Sequence, residues 1–320
     1  MRRSSGFTAR SSFRTDVLSI VRVLAPNPDV FTLEGTNTWI VGNGPTIVVD
    51  PGPDVQGHLD EVARSAGRVS AVLVTHDHPD HAPGASSFAG EVGAPLFAFR
   101  LEGARRLRDG QTFPAGGGEL RAVLTPGHTS DHVAFFEPSA RALLTGDAVL
   151  GRGTSFIDPP QGDLGRYLAS LRRMLDLGPR TIYPGHGPVV LDAPAKIREY
   201  LAHRQEREDQ VVRALSGGTR TVDDIVGQIY ADYPPDVRPL AARSVLAHLL
   251  KLQAEGRTTK DGRGDDTRWS AASPRACARC GRPVVGRARY CSSCSLILLQ
   301  EGRHEQRASP EREEEGEASP

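Results

Sequence analysis

The chain has 320 residues, 39 Lys plus Arg balanced by 39 Asp plus Glu, and 38% hydrophobic residues. That length holds one full-sized core and one or two small modules, because domains usually run about 100 to 200 residues. Formal neutrality gives no global pull towards nucleic acid, no stretch approaches the roughly 20 apolar residues of a membrane helix, and four cysteines confined to the last fifth of the chain speak against a secreted disulfide framework.

In chain order, the opening MRRSSGFTARSSFR is rich in Arg and Ser and free of acids. It shares that composition with mitochondrial transit peptides but has no apolar segment for secretion. Residues 1–16 read as a flexible N-terminus, and a reducing cytoplasm is the expected location. From Val17 to Val190, short apolar runs alternate with turn signals. TIVVDPG, VSAVLVTHDH, ELRAVLTPGH and ALLTGDAVL each read as a buried strand ending in a polar, Gly-containing loop, which predicts a layered α/β fold. Asp163 can cap a helix over LGRYLASLRRMLDL that stops at Gly178-Pro179, and another helix is predicted from Ala193 to about Leu215. The charged half of the latter, HRQEREDQVVRAL, leads out of a catalytic domain placed at 17–200. TVDDIVGQIYAD and RPLAARSVLAHLLKLQAEG, followed by the hairpin-like TTKDGRGDDTRWS, predict a winged-helix-like domain over 201–272. A zinc ribbon over 273–297 and a disordered acidic tail over 298–320 complete the expected organisation.

The chemistry concentrates in Thr75-His76-Asp77-His78-Pro79-Asp80-His81, directly after the apolar AVLV. Three imidazoles and two carboxylates in six residues are an electrostatic liability in an ordinary loop, and a metal compensates them. His76 and His78 can project to one side of an extended turn, with Asp80 and His81 opening the following helix towards a second ion. His128 in TPGHTSDH, Asp147 in LLTGDA and His186 in IYPGHG repeat the strand-then-ligand context. Neutral imidazoles and carboxylates without thiolates are a fitting set for catalytic zinc, and iron or manganese suit it too. Two such ions about 3.5 to 4 Å apart can share a hydroxide that acts as the nucleophile. One ion would polarise the oxygen under attack, and Asp80 could accept or relay the proton.

The block H-x-H-x-D-H, followed in order by His, Asp and His, resembles the metallo-β-lactamase superfamily over about residues 17–200. The resemblance implies an αββα sandwich with His76, His78 and His128 on one ion and Asp80, His81 and His186 on the other. Asp147 would bridge both. Asp50, in VVDPG, matches the acidic residue that supports the metal site, and it joins Asp80 as a catalytic candidate.

Within the superfamily, an Asp at the bridging position departs from the secreted antibiotic-destroying enzymes, which commonly carry Cys there. The stretch from Ala148 to Gly185 is too short for the inserted cap of the large nucleases. FTLEGTNTWIVG, TPGHTSDHV, GTSFIDPPQGDLGRYLASL and IYPGHGPVV resemble the β-lactamase-like protein 2 group over about residues 17–270. That group includes an endoribonuclease on single-stranded RNA, so the resemblance implies phosphodiester cleavage. Hydrolysis of a thioester or another small ester, as in glyoxalase II, is the enzymatic alternative. A nucleic-acid-binding regulator with a vestigial metal site is the alternative from another class. Thr36, Asn37, Thr154 and Ser155 are expected on loops bordering the site as substrate-binding candidates, and His132 reads as a strand histidine. A membrane partner is not expected, and a homodimer is left open.

Finally, Cys277-Ala-Arg-Cys280 and Cys291-Ser-Ser-Cys294 have the spacing of a ribbon that holds one structural zinc. Arg275, Arg279, Arg282, Arg287 and Arg289, with Tyr290, give the ribbon a basic face that could contact phosphates.

Overall fold

The computed structural model describes residues 18–273, 275–284 and 293–295. The arm expected over 1–16, the tail over 298–320, and Arg287, Arg289, Tyr290 and Cys291 lie outside the described residues. The chain divides into two units after Arg207.

In the first unit, two sheets face each other. One has the order β1 (Ile20–Leu24), β2 (Asn37–Val41), β3 (Thr46–Val49), β4 (Val69–Leu73), β5 (Leu96–Ala98), β6 (Arg105–Arg106). Its first three strands pair antiparallel and the rest parallel. The other sheet runs β7 (Thr112–Ala115), β8 (Gly118–Leu124), β9 (Val133–Glu137), β10 (Ala142–Gly146), β11 (Thr181–Pro184), antiparallel except for the β10–β11 pair.

β3 is buried along its whole length because both faces of its sheet are covered. Ile47 and Val49 join Trp39, Leu73, Phe135 and Leu144 between the sheets. Val48 points the other way, to Ile40, Val72 and the buried faces of α1 (Gln56–Ala66) and α2 (Pro83–Glu91). On the second sheet's side, α3 (Leu164–Asp176) buries Leu164, Tyr167, Leu168, Leu171 and Met174. Asp163 caps it by accepting from the Arg166 N–H at 2.9 Å, and Ser170 Oγ ties it to the Pro126 carbonyl at 2.8 Å. The result is the αββα sandwich.

α4 (Ala193–Ser216) runs without a break through the division between the units, and through the boundary expected at 200/201. In the second unit, α5 (Val222–Ile229) starts with a reciprocal cap between Thr221 and Asp224, and α6 (Arg238–Ala254) precedes the hairpin of β12 (Thr258–Asp261) and β13 (Arg268–Ala271). Val211, Leu215, Ile225, Val245, Leu249 and Trp269 form its core. Arg220 pairs with Trp269 through both backbone hydrogen bonds, fixing the start of α5 to the hairpin. This is the winged helix. β14 (Arg275–Ala276) and β15 (Pro283–Val284) follow as a short antiparallel pair. No described helix is long and apolar enough to cross a membrane.

Candidate metal centre and its cavity

Four strands deliver the seven expected ligands to one place. His76, His78, Asp80 and His81 follow β4, His128 follows β8, Asp147 follows β10 and His186 follows β11. One difference from expectation is local: α2 starts only at Pro83, so Asp80 and His81 lie in the turn before it, where the His81 and Ala82 N–H groups donate to the His78 carbonyl.

The ligand atoms fall into two groups that share Asp147. His76, His78, His128 and Asp147 place their ligand atoms within 4.8 Å of one another, and so do Asp80, His81, His186 and Asp147. Asp147 Oδ2 is 3.9 Å from His76 Nε2 and 3.7 Å from His128 Nε2, whereas Oδ1 is 3.4 Å from His81 Nε2 and 3.3 Å from His186 Nε2. One carboxylate therefore turns one oxygen to each group. Oδ1 is buried and makes no well-formed hydrogen bond to either imidazole.

Nitrogens that cannot all bond one another are also crowded together. His76 Nε2 lies 3.0 Å from His78 Nδ1, His128 Nε2 lies 3.3 Å from the same atom, and His81 Nε2 lies 3.2 Å from His186 Nε2. Facing lone pairs at such distances call for a cation between them. The residues thus fit a pair of metal ions by donor type, convergence and an otherwise unsatisfied oxygen.

The rest of the fold sets the tautomers. His128 Nδ1 donates to the Phe156 carbonyl at 2.8 Å and His186 Nδ1 to that of Gly35 at 3.2 Å. His81 Nδ1 donates to Asp50 Oδ2 at 2.9 Å, and His76 Nδ1 donates to Thr75 Oγ1, which in turn donates to Asp50 Oδ2 at 2.8 Å. A proton held on each Nδ1 leaves the Nε2 lone pair facing the centre. Asp50 therefore sits behind a histidine of each group, buried, rather than facing the cavity. Its φ of 52° is a left-handed conformation that a non-glycine residue adopts at a cost of about 1 kcal/mol or more. Bonds from the Thr75 N–H and Thr75 Oγ1 hold it there.

Charge follows the same division. Burial and neighbouring imidazoles push His76 and His128 below the ordinary histidine value, which keeps them neutral. Burial alone would disfavour the ionised Asp147 and Asp80, but the histidines around them hold both carboxyls well below their usual range. Against burial, Asp147 and Asp80 push His186 up to about 9.

Two glycines before ligands have a steric reason. A Cβ at Gly185 would stand 2.5 Å from Asp147 Oδ1 and 2.8 Å from a His81 ring carbon, inside the space a metal needs. Gly127 has φ 142°, and a Cβ there would meet the Tyr167 backbone at 2.3 Å. The P-G-H pattern is therefore a requirement for close approach as well as a turn signal.

A cavity of about 650 Å³ lies over the cluster, with His78, Asp80, His128, Asp147 and His186 in its floor. Its walls are largely apolar, built from Val30, Phe31, Leu33, Pro53, Leu150 and Phe156. The Phe31 and Phe156 rings face each other with centroids 6.1 Å apart. The only Lys or Arg among the described lining residues is Arg152, which pairs with Glu34 at 2.6 Å.

Of the four substrate-binding candidates, Thr154 and Ser155 line the cavity, whereas Thr36 and Asn37 do not. Thr36 is fully buried and exchanges hydrogen bonds with the Asn27 side chain. Asn37 Nδ2 donates to the Pro184 and Gly187 carbonyls at 2.9 Å, clamping the loop that carries His186. These two residues hold the centre from behind.

His132, expected as a strand histidine, lies one residue before β9, and the sequence marks no role for the other supporting residues. His132 is fully buried, and its Nε2 accepts from the Asp147 N–H at 3.2 Å while Nδ1 donates to Thr125 Oγ1 at 2.8 Å. The Asp131 carboxylate accepts from the Asp77 N–H at 3.0 Å. Tyr200 Oη accepts from the Leu150 N–H, Tyr167 Oη donates to the Ala148 carbonyl, and the buried Arg204 donates to the Ser155 carbonyl. Together they fix the 148–156 wall. The second histidine of TPGHTSDH was a visible signal for His132, but nothing local marks Tyr200 or Arg204.

Comparison with known proteins agrees with this geometry. Residues 31–110 and 97–186 match the metallo-beta-lactamase superfamily, and residues 221–269 match the beta-lactamase associated winged helix domain. A beta-lactamase-like protein 2 homolog of Caenorhabditis elegans is 35% identical over 255 residues, covering 74% of this chain and 85% of the relative. An atrochrysone carboxyl ACP thioesterase of Aspergillus chevalieri is 36% identical over 270 residues, covering 78% and 86%. Among solved structures, a metallo-beta-lactamase family protein from Thermus thermophilus superposes with a TM-score of 0.64 at 26% identity, covering 79% of this chain and 98% of that one.

Proposed function

Since this chain belongs to the metallo-beta-lactamase superfamily of hydrolases, we propose that it cleaves thioesters or esters with an apolar acyl group, using two metal ions held by the seven ligands. The first ion is assigned to His76, His78 and His128, the second to Asp80, His81 and His186, with Asp147 between them. When bound, such a pair lowers the pKa of a coordinated water towards about 7 and polarises a carbonyl.

The chain's own groups supply the rest. Val30, Phe31, Leu33, Leu150 and Phe156 would bury the acyl part and exclude water from it. Asp80, whose side chain is the more exposed of the cluster's two carboxylates at 22%, faces the cavity and is the group placed to take and pass on a proton. Asp50 holds His81 and, through Thr75, His76 in the tautomers that binding requires.

The observation that carries this reading is the cavity wall. An apolar cavity with a single Arg, already paired to Glu34, suits an acyl chain better than a polyanion. The similarity to a thioesterase points the same way. The metals are taken as zinc, and the donor set also suits iron or manganese.

The test is turnover of an aromatic or medium-chain acyl thioester, of S-lactoylglutathione and of a labelled single-stranded RNA by the purified chain, beside His76→Ala. Release of thiol from the apolar substrate, absent in the variant, supports the proposal. Cleavage of RNA without thioester turnover would overturn it in favour of a nuclease, and preference for S-lactoylglutathione would overturn the apolar acyl site.

A further inference from the structure

The cysteines near the end of the chain form a group separate from the His/Asp cluster in composition. We propose that Cys277, Cys280 and Cys294 bind one zinc ion as thiolates, at a structural site distinct from the His/Asp centre. Their sulfur atoms all lie within 4.8 Å of one another, and Cys277 and Cys294 are buried.

The backbone builds the site. The Cys277 N–H donates to the Arg282 carbonyl at 2.8 Å, and the Gly281 N–H returns to the Cys277 carbonyl at 2.9 Å. Residues 277–281 thus close a tight turn that brings two thiols of the C-x-x-C to one side. Gly281, at φ 72°, takes the left-handed position this turn needs.

Among the described residues, what surrounds the thiols is too small to account for their order. β14 and β15 are two residues each, and the buried cluster consists of Cys277, Val284 and Cys294. Burial of three side chains does not offset the entropy of ordering a segment of this length. Metal binding in such modules supplies the missing stabilisation.

The donor type favours zinc among the common divalent ions. Thiolates select zinc over magnesium, calcium or manganese, whereas imidazole and carboxylate accept a wider range. Binding converts the thiols to thiolates and releases their protons to solvent. Three thiolates leave one tetrahedral position, which a count of protected thiols assigns to a fourth cysteine or to water.

The experiment uses the full-length reduced chain and needs no substrate. In a His76→Ala/Asp147→Ala variant, which removes the other centre, one zinc per chain is expected to remain. Cobalt substitution should then give the near-ultraviolet thiolate-to-metal absorption that nitrogen and oxygen ligands do not produce, and Cys280→Ser should abolish it. In the unmodified chain, at least three thiols should resist alkylation until a mercurial releases one zinc. The proposal is overturned if the double variant retains no metal, if cobalt shows no thiolate absorption, or if Cys277 and Cys280 alkylate rapidly or are recovered as a disulfide.

Discussion

The His/Asp cluster and the cysteine cluster differ in what holds their ligands. In the first, each ligand follows a strand of a sandwich with a large buried core, and His76, His81, His128 and His186 each have the nitrogen remote from the centre bonded to another part of the fold. In the second, the thiols hang on two two-residue strands, one turn and the helical residues 293–295. A large fold can order a polar cluster before any ion arrives, so the metal is free to serve chemistry. A small module has little to order its ligands except the ion itself.

Removing a shared ligand gives the widest contrast. Asp147→Ala should lower kcat/KM for the preferred acyl substrate about a hundred- to a thousandfold, as loss of a central electrostatic group does, while far-ultraviolet circular dichroism stays at the wild-type level. Residual turnover near wild type would move the reaction away from this centre.

Chelation tests both clusters at once. Stripping metal from the whole chain should abolish hydrolysis and leave slow hydrogen exchange in β3, β4 and β9, while amides of residues 277–284 lose their protection. If 277–284 remains protected after complete zinc removal, the contrast between the two clusters fails.

Asp50→Asn probes the support rather than the ligands. It should weaken metal binding or activity by about 10- to 100-fold, because an amide cannot accept from both His81 Nδ1 and the Thr75 groups as a carboxylate does. Metal titration of the variant measures this directly. An unchanged affinity would mean the sandwich positions His81 without that carboxylate.

The smallest effect belongs to the cavity wall. Phe31 is 52% exposed, so Phe31→Ala removes only part of a ring's contact. KM for an apolar acyl substrate should rise about 3- to 10-fold with kcat nearly unchanged, the pattern of lost uniform binding. A fall in kcat instead would place the ring closer to the reacting carbonyl.

Much of this architecture can be read from short stretches. TIVV, AVLV and ALLTG are continuous apolar runs because their strands are covered on both faces, and each announces the loop that follows. Asp163 and Thr221 are recognisable caps. β1, β5 and β6, by contrast, carry little local signal: β1 has four partly or fully exposed positions, and β6 is two arginines that reach sheet geometry by pairing with β5.

The seven residues of the His/Asp cluster, the layered α/β fold, the winged helix and the paired cysteine motifs are legible in the sequence, because each depends on residues close together in the chain or on one repeated strand-end pattern. Which side chains line the cavity is settled by packing in three dimensions. Thr36 and Asn37 turn inward to Asn27 and the His186 loop, His132 turns to the Asp147 amide, and Tyr200 and Arg204 brace a wall some fifty positions away in the chain. A side chain's partner across that distance is set by how sheets and helices pack, and local pattern contains no term for it.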